Sequence, residues 1–181
     1  MKKWLLAFGL TTVLALAGCG SSSSEEASKS NGEEKSSQEK SSDEKAVKKE
    51  ILNAQMNMAS TFRPNHSKIA AYQTAVGEEE PDAEAIKTAG EKAKTAAEKA
   101  SEQAANYEIK ADLPEDITTK YKEALPSLQA YYDEAGKALE ADLENADFSA
   151  ANEKFKEFQS IVDSVYENAG LLTTDLMKEF S

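Results

Sequence analysis

Residues 51–72 read ILNAQMNMASTFRPNHSKIAAY, and the reading of this stretch decides how many helices the chain has. Ile51, Ala54, Met58 and Phe62 recur at spacings of three and four, the period at which a helix buries one face. Then comes Pro64. An interior proline lacks the backbone donor and crowds the preceding turn, at a cost of about 3 kcal/mol, and it disfavours helix at the residue before it. Yet the seam continues beyond it in the same phase, through His66, Ile69, Tyr72 and Val76. Two helices separated by a loop would have no reason to share a phase. The stretch therefore predicts one long helix, kinked at Pro64, from about 43 to 76 and ended by Gly77.

Working outward, three further segments carry helical seams. One starts near Pro81-Asp82 and buries Ile86, Ala89, Ala93, Ala97, Ala100, Ala104 and Tyr107. Alanine there raises helix propensity and lets a partner helix approach closely. The next opens at Leu113-Pro114-Glu115-Asp116, with proline in the first turn and acids near the positive end of the helix dipole. Its seam is Ile117, Tyr121, Ala124, Leu128, Tyr131, Ala135 and Leu139. The last has Asp147 or Ser149 as its cap and the seam Phe155, Phe158, Val162, Val165, Ala169, Leu172 and Leu176. No β-type alternation interrupts these patterns.

The segments 43–76, 82–107, 114–142 and 148–180 are joined by short loops, the length expected between antiparallel neighbours. The fold expected is all-α: an antiparallel up-down four-helix bundle with a proline-kinked first helix. The same heptad-like seams also fit a long helical hairpin that dimerises, so the oligomeric state stays open.

The start of the chain has a different character. Lys2 and Lys3 precede the uncharged run WLLAFGLTTVLALA, the pattern of a secretory signal. The run is shorter than the roughly 20 apolar residues that span a bilayer. It ends at Leu16-Ala17-Gly18-Cys19, which resembles the lipobox of bacterial lipoproteins. The resemblance covers residues 1–19 and implies removal of 1–18 by cleavage between Gly18 and Cys19. It also implies attachment of a diacylglyceryl group to the Cys19 thiol. Two acyl chains suffice for stable anchoring where one does not.

Cys19 is the only cysteine, so lipidation leaves no thiol for a disulfide and stability must come from the core. Residues 20–42, GSSSSEEASKSNGEEKSSQEKSS, contain Ala27 as their one apolar side chain. Such a segment buries too little to order itself, so 19–42 are expected to form a lipidated, disordered tether. Its span would be roughly 25–30 Å. Tethers of this kind after a lipobox are similar to those of Gram-positive lipoproteins, which points to the outer face of the cell membrane.

The net charge is −12, and removal of the signal takes two lysines and no acid. Such a balance disfavours nucleic acid as a partner. Di-metal bundles use Glu-x-x-His pairs on two helices, but here there is one histidine and Arg63 stands three residues before it. No metal site, cofactor loop or catalytic triad can be assembled from this set, so the sequence reads as non-enzymatic.

One stretch stands above this background. Phe62-Arg63-Pro64-Asn65-His66 holds the only arginine and the only histidine of the chain, at the proline. Phe62, Arg63, Asn65 and His66 form a candidate surface for a partner or ligand, with Arg63 offering a rigid fork of donors. The competing structural reading makes His66 a buried polar group with a satisfied hydrogen bond. Tyr131 and Tyr132 are adjacent, which predicts that one faces solvent. The function expected is a lipid-anchored binding or scaffolding module for an envelope protein or wall component. The alternative is a small-ligand or sensor domain with a pocket near Pro64.

Overall fold

Pro64 lies inside one continuous helix. The computed structural model describes residues 33–80 and 82–181, with side chains from residue 42 onward. Helix α1 runs Glu33–Val76, α2 Ala83–Ala105, α3 Glu115–Ala141, α4 Ser149–Asn168 and α5 Leu176–Phe180. The described residues contain no strand, and no helix among them is long and apolar enough to cross a membrane. The signal segment, Gly18, Cys19 and tether residues 20–32 lie outside the described residues.

The first helix keeps its phase across the proline. Ile51, Ala54, Met58, Phe62, His66, Ile69 and Tyr72 are all buried, whereas Pro64 and Ser60 are exposed. The carbonyl that Pro64 cannot serve is that of Ser60, on the solvent-facing side of the helix, where water can serve it. The core face loses nothing.

The helix also starts at Glu33, ahead of the position near 43 that the apolar seam marks. Glu, Lys and Gln are good helix formers, and Glu33 and Glu34 occupy the favourable end of the dipole. Once Val47 and Ile51 pack, extension toward the N-terminus needs no new nucleus. The backbone of 33–42 is therefore helical ahead of the first apolar seam residue, Val47.

Helix α2 is capped by Asp82, whose carboxylate accepts from Ala85 N–H at 2.8 Å. It packs on α1 and α3, and α3 packs in turn on α4. Helix α3 thus has neighbours on two sides, and its buried face is wide. This corrects the expectation for the adjacent tyrosines, since Tyr131 and Tyr132 are both buried. The Tyr132 ring stacks near Phe62 on α1, while Tyr131 meets Phe155 on α4 edge-to-face at 5.1 Å.

The last segment departs most from its expected form. Helix α4 stops at Asn168, and Gly170 takes a left-handed φ of 62°. Gly170 N–H donates to the Glu167 carbonyl and Leu171 N–H to that of Tyr166, at 2.9 and 2.8 Å. This pair of bonds is the Schellman ending, which closes the orphan carbonyls and turns the chain away. Leu172 consequently points into solvent, 91% exposed, and is not a core residue.

After the turn the chain comes back as α5, which rests on α1. Leu176 and Phe180 are fully buried. The Phe180 ring meets Phe62 and His66 of α1 and Phe155 and Phe158 of α4, with centroids 5.8 to 6.1 Å apart. Helix α5 is a wedge between the first and fourth helices.

Candidate functional site

The residues around Pro64 are drawn in different directions. Phe62 faces the core, its ring 5.5 Å from Tyr107, 5.8 Å from Tyr132 and 5.8 Å from Phe180. Asn65 is buried and donates through Nδ2 to Gln103 Oε1 of α2 at 2.8 Å. Arg63 is exposed, and its Nε and Nη2 both donate to the Glu179 carbonyl, at 3.2 and 2.5 Å. That fork secures the last turn of the chain, where a carbonyl has no helical partner.

His66 is 2% exposed and enclosed by the rings of Tyr131, Tyr132, Phe155 and Phe180. Its Nδ1 lies 3.3 Å from the Tyr132 hydroxyl. Burial lowers the imidazole pKa to about 4, because the cation would have to give up its water without a compensating charge. The Tyr132 hydroxyl is pushed up by its own burial and then by Tyr131 beside it. A phenol that keeps its proton is thus paired with a neutral imidazole. This is a satisfied core hydrogen bond between two neutral groups.

The sequence-marked residues therefore do come together, but as a junction of α1, α2, α3 and α5. Arg63 lies on the surface and Asn65 borders it, while Phe62 and His66 are enclosed. Aromatic rings fill the core side of this turn, around Phe62 and His66, while on the α2 side Asn65 lines an open hollow of about 390 Å³ with Lys99, Glu102, Gln103 and Asn106.

Two glutamines that the apolar pattern hides take part in the same junction. Gln55 is buried one position from seam residue Ala54, and its Nε2 donates to Glu179 Oε2 at 2.8 Å. Gln159 of α4 accepts from Leu176 N–H at 2.9 Å and donates to the Thr174 carbonyl at 2.8 Å and to Asp163 at 2.7 Å. Asp175 caps α5 by accepting from Lys178 N–H at 3.3 Å. Position beside a seam was their only signal in sequence, and it reveals neither the partner of Gln55, 124 residues on, nor those of Gln159 beyond the Gly170 turn, 15 and 17 residues on.

The surface offers shallow features. A hollow of about 650 Å³ lies where α1, α3 and α4 meet, with Val47, Ile117, Val165 and Ala169 in its lining and Lys48 and Lys120 beside them. A second, of about 540 Å³, runs between α1 and α2 past Lys68, Ala71, Thr88 and Ala89. Leu52 and Met56, 43% and 61% exposed, stand one turn apart on the outer side of α1. Several exposed Lys–Glu and Lys–Asp pairs bridge neighbouring turns and contribute little each. Among the described residues no group of three or more His, Cys, Asp or Glu is placed to hold a metal ion. Comparisons with protein-family models, with curated proteins and with solved structures give no match to this chain.

Proposed function

We propose that the chain is a lipid-anchored extracytoplasmic protein whose helical domain acts as a non-enzymatic binding or scaffolding module at the cell envelope. The observation that carries this reading is Leu16-Ala17-Gly18-Cys19 at the end of a charged-then-apolar leader, followed by a polar tether. The domain is an antiparallel up-down bundle of α1 to α4, with α5 completing the side between α1 and α4. The membrane is one partner, through the diacylglyceryl group on Cys19. An envelope protein or wall component on the outer side of a Gram-positive type membrane is the other.

Support for a binding role is the outer side of α1, where Leu52 and Met56 expose apolar surface in line with Arg63. Large side chains left exposed one turn apart are the elements from which a contact is built.

The test is lipid-precursor labelling of cells making the wild type or Cys19→Ser, followed by crosslinking on intact cells. The wild type should take up label and yield a defined crosslinked species. Cys19→Ser should remain an unlabelled precursor, and Leu52→Glu/Met56→Glu should keep the label and lose the species. A wild-type protein that stays in the membrane without label would overturn the anchor. A crosslinking pattern indifferent to the double substitution would overturn the α1 surface.

A further inference from the structure

Among the described residues, four fully buried polar atoms have no hydrogen-bonding partner: Gln55 Oε1 and the hydroxyls of Tyr107, Tyr121 and Tyr166. Asn65 is served by Gln103, His66 by Tyr132 and Ser101 by Asp133. Buried polar groups are rarely left alone, so four together demand a cause. They also lie at one end of the molecule. Tyr107 follows the end of α2, Tyr121 is in the second turn of α3, and Tyr166 is in the last turn of α4. Helix α1 joins this level because Asn57 donates to the Lys110 carbonyl and Glu50 accepts from Asp112 N–H, both in the α2–α3 connection.

The orientation of Gln55 is fixed by chemistry. The Glu179 carboxylate only accepts, so the amide must present Nε2 to it, which leaves Oε1 as a free acceptor on the other side. The phenols stay protonated: burial, then the nearness of Tyr166 and Tyr107, pushes Tyr121 upward, and burial with Glu179 nearby does the same to Tyr166. The set therefore offers three O–H donors and an amide acceptor, with the Glu179 carboxylate next door, a neutral donor–acceptor set that suits a neutral guest.

We propose that Gln55, Tyr107, Tyr121 and Tyr166 form a buried site for a small neutral hydroxyl molecule, and that its occupant is water. Water presents two donors and two acceptors from a single atom, enough to pair all four atoms: it accepts from two phenols and donates to Gln55 Oε1 and to the third phenol oxygen. Every long helix, or the residue just beyond it, then holds the same molecule. Because Gln55 also holds Glu179, the site ties the α5 wedge to the ends of the other helices.

The test uses the full chain, its Tyr121→Phe and Tyr166→Phe variants, and the double variant. Water-oxygen relaxation dispersion should report a long-lived internal water in the wild type that is lost in the double variant, and each single variant should melt below the wild type. An alcohol-sized adduct in native mass spectrometry, in place of the water signal, would keep the site and change its occupant. A higher or unchanged melting temperature in both single variants would overturn the proposal, because removing a hydroxyl that truly lacks a partner relieves a penalty. So would an internal-water signal equal in wild type and double variant, or a wild type with neither water signal nor adduct.

Discussion

Pro64 and Gly170 are both residues that end helices, and the chain treats them in opposite ways. At Pro64 helix α1 runs on and its buried seam is unbroken; at Gly170 helix α4 ends and the next residues leave the core. The difference lies in backbone angle and in which side bears the loss. Proline holds φ near the helical value, and here the carbonyl it orphans faces water. Gly170 adopts a φ of 62°, which no helix continues through. A seam can be extrapolated past a missing hydrogen bond, but not past a reversal of φ.

The largest effect should come from the segment that the reversal creates. Phe180 is fully buried against Phe62, His66, Phe155 and Phe158 although it stands one residue from the C-terminus. Phe180→Ala should cost about 3–5 kcal/mol in urea unfolding, as much as Phe158→Ala in the middle of α4. A cost below 1 kcal/mol at Phe180, with Phe158 behaving as expected, would mean that α5 frays and is no wedge.

Next is the pH response of the segment around Pro64. Burial depresses the His66 pKa from 6.5 to about 4. A depressed histidine binds its proton in the unfolded state first, so its contribution is present above pH 6.5 and is lost as pH falls toward 4. The shift corresponds to about 3 kcal/mol. His66→Gln should start less stable at pH 7 and lose less than the wild type on going to pH 4. Parallel pH profiles for the two proteins would refute a neutral buried imidazole.

The turn itself should give a smaller change. At Gly170 a Cβ would meet only the flexible end of Lys48, at 3.5 Å, so the strain of Gly170→Ala is that of the backbone alone. The expected cost is about 1–2 kcal/mol. Gly77→Ala at the end of α1 is the control: it carries no positive φ and contacts only nearby carbonyls at 3.4 Å or more. Equal costs at the two glycines would show that φ is not what matters.

Much of this fold could be read from residue order because most of its core is periodic. The seams of α1 to α3, the start of α2 near Asp82 and passage through Pro64 all follow from spacing and local chemistry, whereas α4 has Phe148 at its N-cap with no side-chain cap bond, and Asp147 accepts from Ser149 N–H instead. The candidate residues around Pro64 were legible as a cluster, and their use was not. Whether Arg63 meets solvent or the Glu179 carbonyl depends on a chain end that returns 116 positions later. The same holds for Gln55, Gln159 and the three unpaired tyrosines, whose surroundings are set only when the helices pack. The width of a buried face is tertiary too. Tyr131 and Tyr132 violate a single-stripe reading because α3 has a neighbour on either side.

Leu172 gives the smallest expected effect and the cleanest contrast. By spacing it belongs with Phe155, Phe158, Val162 and Val165, and a helix continued through 180 would bury it. Past Gly170 it stands 91% exposed, so its truncation removes almost no contact that folding makes. Leu172→Ala should fall within about 0.5 kcal/mol of the wild type, as surface substitutions do, while Val165→Ala, one turn before the break and 4% exposed, should be clearly destabilising. A Leu172→Ala cost near 2 kcal/mol would restore the continuous helix and remove the turn, the wedge and the burial of Phe180 with it. A silent Leu172 beside a costly Phe180 leaves one arrangement: the chain quits the seam at Gly170 and re-enters the core six residues later, at Leu176.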